Sequence, residues 1–134
     1  MTAKRGSIRR EVRIAATPEA VWELAGAAER LPEWFPGIVS CSLQGDMRIA
    51  TTGSGLSVPE RILTCDRLQR RFQYRITTPL FAEHTSTIDV VDLHDGSCLA
   101  VYSVDAEPSA MALVIGGAAA NALENLRRML EGAS

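Results

Sequence analysis

Hydrophobic and charged residues alternate from Ile8 to Ala15. A period of two is typical of a β-strand with one face on the core and the other in water. From Pro18 to about Ala27 the apolar residues recur instead at helical spacing. Thr17 supplies a capping hydroxyl, and Pro18 loses no hydrogen bond at the first helical position. The start of the chain therefore predicts a strand followed directly by a helix.

A second helical segment is predicted from Glu29 to Trp34, and it must be short. Pro32 and Pro36 lie close together, and proline does not fit the interior of a helix. The segment ends on two adjacent aromatic residues, Trp34 and Phe35. We expect these two rings either to pack in the core or to line the mouth of a cavity.

The middle of the chain predicts six strands joined by turns. The expected strands are Ile38–Leu43, Met47–Thr52, Val58–Asp66, Arg71–Thr77, Glu83–Leu93 and Ser97–Glu107. The last two are joined through an Asp-Gly dipeptide, Asp95-Gly96, which is a strong signal for a tight hairpin. Short links between consecutive strands favour an antiparallel sheet.

A long helix is predicted at the end of the chain, from Ala110 to Glu131. Its apolar stripe comprises Leu113, Ala120, Leu123, Leu126, Met129 and Leu130. Gly116 and Gly117 weaken this helix, because each glycine costs about 1 kcal/mol relative to alanine in a helix interior. Such a pair allows a bend or the close approach of a neighbouring element.

The predicted fold class is α+β, with one strand, two short helices, about six further strands and one long C-terminal helix. A sheet of about seven antiparallel strands curls strongly, and we expect the final helix to cover its concave face. The 134 residues suit one domain, spanning residues 1–134. Residues 1–6 are expected to be disordered.

Alternation along the last three predicted strands sorts their side chains into inward and outward sets. The expected inward set is Phe72, Tyr74, Ile76, His84, Ser86, Ile88, Val90, Cys98, Ala100, Tyr102, Val104 and Ala106. Small inward residues such as Ser86 and Ala100 leave volume unfilled unless a neighbour occupies it. We therefore expect an internal cavity that holds water or a ligand.

Composition and charge argue against several classes of partner. The formal net charge is −2, whereas a nucleic-acid partner needs a basic face. Three cysteines without CxxC spacing and only two histidines predict no metal site, and no cofactor motif is present. The cysteines suit a reducing cytoplasm, and no apolar stretch is long enough for stable membrane insertion. A monomer and a homodimer are both compatible with the sequence.

Five segments resemble the superfamily of START-related proteins and polyketide cyclases/dehydrases, also called SRPBCC. They are 14–22 (IAATPEAVW), 31–38 (LPEWFPGI), 60–63 (ERIL), 74–76 (YRI) and 123–130 (LENLRRML). The resemblance covers nearly the whole chain and implies a helix-grip fold, in which a curved sheet wraps around the C-terminal helix. It also implies a cavity for a small hydrophobic molecule, for which volumes of roughly 300–1,000 Å³ are usual.

The resemblance and the alternation together give a set of expected ligand contacts. They are Trp34, Phe35, Arg48, Phe72, Tyr74, His84, Ser86, Ile88, Tyr102, Gly117 and Asn121. In aromatase/cyclases of this superfamily an inward arginine is thought to orient keto oxygens, and alternation leaves open whether Glu60 or Arg61 faces inward. A histidine and tyrosine hydroxyls supply acid/base and carbonyl-binding groups. The catalytic candidates are therefore His84, Tyr74, Tyr102 and Arg61, each of which also has an ordinary structural interpretation.

Three functions fit the sequence. The favoured one is the binding or carriage of a small hydrophobic molecule, lipid or polyketide-like, between the sheet and the C-terminal helix. The first alternative is a polyketide aromatase/cyclase or dehydrase, which needs polar groups at fixed points in the cavity. The second alternative is a module that binds a protein partner, which predicts an exposed apolar patch.

Overall fold

The structure is a computed structural model that describes residues 4–132. The expectation of disorder for residues 1–6 lies partly outside this range. Within it, Gly6 is the first residue of a strand and pairs with Ala106.

The described chain forms seven strands and three α-helices. Their bounds are β1 Gly6–Ile14, α1 Pro18–Ala25, α2 Leu31–Trp34, β2 Ile38–Gln44, β3 Met47–Thr52, β4 Ser57–Asp66, β5 Arg71–Ile76, β6 Glu83–Asp92, β7 Cys98–Glu107 and α3 Ser109–Leu130. A single 3₁₀ turn, Ala28–Arg30, leads into α2. The helix α1 begins as expected, since the Thr17 hydroxyl accepts a hydrogen bond from the backbone N–H of Ala20 at 3.2 Å.

All seven strands form one antiparallel sheet in the order β1-β7-β6-β5-β4-β3-β2. Consecutive strands from β2 to β7 are neighbours. The first strand, β1, lies at the edge of the sheet and pairs with β7. The predicted α+β class, the seven-stranded antiparallel sheet and the long C-terminal helix are confirmed.

The inward set predicted for β5, β6 and β7 is also correct. Each of those side chains is buried, and along β7 buried and half-buried residues alternate without a break. The largest fully buried side chain is Trp34, the last residue of the short helix α2. The core therefore lies between the concave face of the sheet and the helices.

The apolar stripe predicted for α3 is partly wrong. Leu113 and Met129 are 61% and 41% exposed, whereas the face toward the sheet consists mainly of small residues. That buried face comprises Ala112, Gly116, Ala119, Ala122, Leu123 and Leu126. Small residues are needed there because α3 packs closely against β1 and β7.

The contact between Gly116 and Ile8 shows how close this approach is. A Cβ atom built on Gly116 would lie 2.9 Å from Cγ2 of Ile8, closer than real Cβ contacts. Gly117, the next residue, faces open space, with nothing within 4 Å of a Cβ built on it. The glycine pair thus contains one residue required by packing and one that is not.

These two glycines give a matched test of the packing of α3. Gly117→Ala should raise the free energy of unfolding by about 0.5–1 kcal/mol, because alanine favours the helix and meets no neighbour. Gly116→Ala should instead lower it by about 1 kcal/mol or more, because the new methyl group overpacks against Ile8. Urea denaturation followed by circular dichroism measures both. Equal gains in the two variants would contradict the close contact.

Candidate functional site

A cavity lies between α3, α2 and the middle of the sheet, with a volume of about 170 Å³. It is lined by Leu31, Phe35, Ile38, Thr52, Val58, Glu60, Tyr74, Ile76, Ile115 and Ala118. The cavity arises because α3 packs chiefly on β1 and β7, at one end of the sheet, which leaves a gap over β3, β4 and β5. Most of its lining is aliphatic or aromatic.

The cavity is smaller than the 300–1,000 Å³ expected from the sequence, because large side chains fill the space beside the small inward residues. Trp34, Phe35 and Tyr102 form a cluster with ring centroids 5.9–6.4 Å apart. Phe72 and Tyr74 form a second aromatic pair at 6.2 Å. Tyr74 is the register partner of Ser86, so one of these rings lies beside a small inward residue.

An ion pair is buried beside the cavity. Arg48 and Glu60 are register partners on β3 and β4, and Arg48 Nε donates to Glu60 Oε1 at 2.6 Å. Their side chains are only 3% and 7% exposed. Arg48 Nη1 also donates to the carbonyl of Ala28 at 3.1 Å, and the guanidinium lies 5.2 Å from the ring centroids of both Phe72 and Tyr74. The interior therefore satisfies this cation with a carboxylate, a carbonyl and two aromatic faces.

Glu60, and not Arg61, is the member of that sequence pair that faces inward. Glu60 is 5% exposed and lines the cavity. Burial raises the pKa of its carboxyl group, and the neighbouring Arg48 opposes that rise. Arg61 instead lies on the outer face of the sheet, where it forms an exposed ion pair with Asp46 at 2.8 Å. The alternative that alternation left open is thereby decided for Glu60, and the catalytic candidate Arg61 does not line the cavity.

Two tyrosine hydroxyls meet in the interior. The Oη atoms of Tyr74 and Tyr102 lie 2.5 Å apart, on side chains that are 3% and 0% exposed. Burial, together with the charge of Glu60, raises the pKa of Tyr74 to about 12. Burial also holds the pKa of Tyr102 well above its usual range. Both phenols are therefore neutral at pH 7, and only Tyr74 reaches the cavity lining.

His84 is engaged on both ring nitrogens. The backbone N–H of Ile76 donates to His84 Nδ1 at 2.8 Å, and His84 Nε2 lies 2.8 Å from Ser86 Oγ. Since Nδ1 accepts a hydrogen bond, the neutral ring carries its proton on Nε2 and donates it to Ser86. Burial, with a contribution from Arg75, lowers the pKa of His84 to about 4. At neutral pH this histidine is a structural hydrogen-bonding group without free capacity for proton exchange.

The remaining predicted contacts fall into two groups. Trp34, Phe72, Ser86 and Ile88 are buried in the core behind the cavity lining. Gly117 and Asn121 lie on the exposed side of α3, so the structure does not bring them to the cavity. The asparagine that does face inward is Asn125, which donates to the carbonyl of Trp34 at 3.0 Å. The small residues of α3 determine which side of the helix meets the sheet, and Asn121 lies on the opposite side.

Several lining residues were not predicted, namely Leu31, Ile38, Thr52, Val58, Ile115 and Ala118. Those on strands share the inward phase of Glu60, and the same alternation would have found them once that residue was known to face inward. Ile115 and Ala118 lie outside the apolar stripe predicted for α3. Their place in the lining depends on where α3 lies over the sheet, which the sequence pattern does not contain.

Three larger clefts, of about 650, 520 and 190 Å³, lie outside this cavity. The first lies between α1 and the β4–β5 turn, and the second on the outer face of the sheet. Charged and hydroxyl side chains contribute much of the lining of these two clefts. The third brings two of the predicted catalytic candidates, His84 and Arg61, to one cleft. Within residues 4–132 no group of three or more His, Cys, Asp or Glu side chains could hold a metal ion. No helix in that range is long and apolar enough to cross a membrane.

Exposed large apolar side chains occur on β2, on the β3–β4 turn and on α3. Examples are Val39, Leu56, Leu113 and Val114, each about 60% exposed. Two of these elements, β2 and α3, also contribute residues to the cavity lining. The protein-partner alternative stays a prediction.

The curved antiparallel sheet, the long helix packed on it and the apolar cavity between them define the helix-grip fold class. The chain belongs to the family described as polyketide cyclase / dehydrase and lipid transport, whose model matches residues 5–131. The resemblance drawn from the sequence is thereby confirmed. No curated protein sequence matches the chain significantly.

Solved structures show the same fold. The protein XoxI from Bacillus cereus is 24% identical, with a TM-score of 0.89 over 95% of this chain and 96% of that one. Norcoclaurine synthase from Thalictrum flavum, in complex with dopamine and hydroxybenzaldehyde, is 19% identical, with a TM-score of 0.74 over 97% and 89%. The di-domain ARO/CYC BexL from the BE-7585A biosynthetic pathway is 15% identical, with a TM-score of 0.77 over 91% and 45%.

The environment of His84 predicts a loss of stability in mild acid. In the unfolded chain a histidine takes up a proton near pH 6.5, whereas folded His84 does so only near pH 4. The contribution of neutral His84 to the free energy of unfolding is therefore complete above pH 6.5, and it is lost as the pH falls from there toward 4. Between pH 7.5 and pH 5 this one group should lower the free energy of unfolding by about 2 kcal/mol.

Urea denaturation at a series of pH values measures this effect. His84→Asn should flatten the profile between pH 4 and 6.5, because the asparagine oxygen can still accept from Ile76 but does not titrate. His94→Gln is the matched control, since the side chain of His94 is 84% exposed, and it should leave the profile unchanged. A profile that keeps its slope in His84→Asn would mean that other groups cause the pH dependence.

Proposed function

We propose that this protein binds a small, largely apolar molecule in the cavity between α3 and the sheet. The observation that carries the proposal is the cavity itself, which has an apolar lining with a few polar groups at fixed positions. Such a combination is typical of small-molecule sites, in which apolar contacts supply affinity and polar groups supply orientation. Membership of a family described by polyketide cyclisation, dehydration and lipid transport supports the same proposal.

The size of the cavity bounds the affinity. An aromatic ring buries about 150–250 Å², which at about 25 cal/mol per Å² amounts to roughly 4–6 kcal/mol. Part of that free energy offsets the loss of translational and rotational freedom on binding. We therefore expect dissociation constants of roughly 0.1 mM or weaker for ring-sized ligands, a range that NMR titration measures.

A second candidate function, catalysis on a carbonyl compound, is favoured by the placement of Glu60 and Tyr74. Both side chains line the cavity, and burial keeps a carboxylate and a neutral phenol in apolar surroundings. In this scheme Glu60 removes a proton α to a ketone, and the C–H electron pair forms the enolate. Tyr74, whose oxygen accepts from Tyr102, donates its own hydroxyl hydrogen to the enolate oxygen. His84 and Arg61 take no part, because neither lines the cavity.

The binding proposal is tested by filling the cavity. Ala118→Phe places a ring where the ligand would lie, and it should weaken toluene binding at least tenfold while the fold persists. Leu113→Phe is the control, because Leu113 is exposed and does not line the cavity. Chemical-shift titration of the ¹⁵N-labelled protein with toluene measures both variants. Unchanged titration in Ala118→Phe, or shifts confined to other parts of the protein, would refute the proposal.

The catalytic candidate has a separate test with 4-methylcyclohexanone in D₂O. Wild-type protein should accelerate the exchange of the α-protons for deuterium, and Glu60→Gln should lose about a hundredfold or more of that acceleration, since a general base contributes that much. Glu11→Gln changes an exposed carboxylate on β1 and should leave the rate unaltered. ¹H NMR follows the exchange. Equal rates with and without protein would exclude this second function and leave ligand binding standing.

A further inference from the structure

The cavity has room for about one ring. An engineered, enclosed cavity of about 150 Å³ in another protein holds a single benzene molecule. The cavity here is of similar size, about 170 Å³, but its mouth is open to solvent. A six-membered ring with one or two small substituents fits inside, and a larger molecule would have to extend out through the mouth.

Three side chains bring polar atoms to the lining, and two of them are already occupied. The Thr52 hydroxyl lies 2.9 Å from the Ser54 hydroxyl and accepts from the backbone N–H of Leu56 at 3.1 Å. The Tyr74 hydroxyl is paired with that of Tyr102. Glu60 is different, because Arg48 binds Oε1 while Oε2 accepts no hydrogen bond from residues 4–132.

The second carboxylate oxygen of Glu60, Oε2, determines which hydrogen-bonding group a ligand needs. An ionised carboxylate accepts hydrogen bonds and donates none, so its partner must carry an O–H or N–H group. Solvent reaches this oxygen through the cavity, since the described residues do not fully enclose it. A donating ligand would take the place of water there.

The ion pair also sets the charge of the ligand. Arg48 and Glu60 together are electrically neutral, and the cavity lining contains no other charged side chain among the described residues. A cationic or anionic ligand would bring an uncompensated charge into an apolar cavity, which is costly. A neutral donor such as a hydroxyl group avoids that cost.

From the ring-sized volume and the unpartnered Glu60 oxygen we propose that the cavity selects a neutral, single-ring molecule bearing a hydroxyl group, which donates to Glu60 Oε2. This inference rests on the proposed function, since it requires that the cavity bind a ligand, and it adds the chemical class of that ligand. The apolar ring contacts Phe35, Ile115 and Ala118, while the hydroxyl group points to β4.

Three probes of nearly the same shape test this selection: p-cresol, toluene and 4-methylanisole. p-Cresol carries a donor, toluene has no polar group, and 4-methylanisole keeps the oxygen but has lost the donor hydrogen. Wild-type protein should bind p-cresol at least tenfold more tightly than the other two, because a hydrogen bond to a charged acceptor contributes that much or more. ¹⁵N chemical-shift titrations at pH 7.5 give the three dissociation constants.

The variant Glu60→Gln then tests whether Glu60 accepts the hydrogen bond from the hydroxyl group of p-cresol. It should weaken p-cresol binding about tenfold and leave toluene binding within about twofold, because the amide is uncharged while the apolar walls remain. Glu11→Gln should change neither constant. The variant's free energy of unfolding is measured alongside, and the comparison of p-cresol with 4-methylanisole on the wild type stands even if Glu60→Gln does not fold.

The outcomes separate this inference from the proposal on which it rests. If toluene and p-cresol bind equally well, or 4-methylanisole matches p-cresol, the hydroxyl selection is overturned and ligand binding stands. If p-cresol is preferred but Glu60→Gln keeps that preference, the assignment to Glu60 is wrong. If none of the probes shifts residues of the cavity lining, the binding proposal itself fails.

Discussion

The buried contact between Arg48 and Glu60 joins three parts of the fold. It connects β3 to β4 on the inner face of the sheet, and the same guanidinium binds the carbonyl of Ala28 in the turn before α2. Because α2 and the residue after it supply Leu31 and Phe35 to the cavity, the ion pair positions one wall of the site as well as its polar group. Removing one partner would leave the other charge buried alone, which costs about 3–5 kcal/mol.

The position of α3 decides where the remaining space lies. Small residues let this helix approach β1 and β7 closely, and at Gly116 the approach leaves no room for a methyl group. A helix held at one end of a curved sheet cannot also cover the other end. The gap over β3, β4 and β5 is therefore a consequence of close packing elsewhere, and the aromatic cluster around Trp34 closes it on the inner side.

Sequence reasoning succeeded where a single period governs the structure. Alternation identified the buried side chains of β5, β6 and β7, because successive residues of a strand point to opposite faces of the sheet. It failed for α3, where alanine and glycine face the sheet and Leu113 faces solvent, since hydropathy does not register the need for close approach. It also overestimated the cavity, because the space beside Ser86 depends on rings from other elements. The pairing of Arg48 with Glu60 required the register of β3 and β4, which no local pattern contains.

The two buried polar clusters of the interior differ in a way that bears on function. Around His84 each ring nitrogen has a partner, so this histidine is explained by stability alone. The ion pair holds β3, β4 and the turn before α2 together, yet apolar residues of similar volume in place of a buried pair are often neutral or stabilising. Its carboxylate also keeps one oxygen without a protein partner at the wall of an apolar cavity. Support of the fold therefore accounts for one oxygen of Glu60, and the other is the polar atom that the proposed ligand would use.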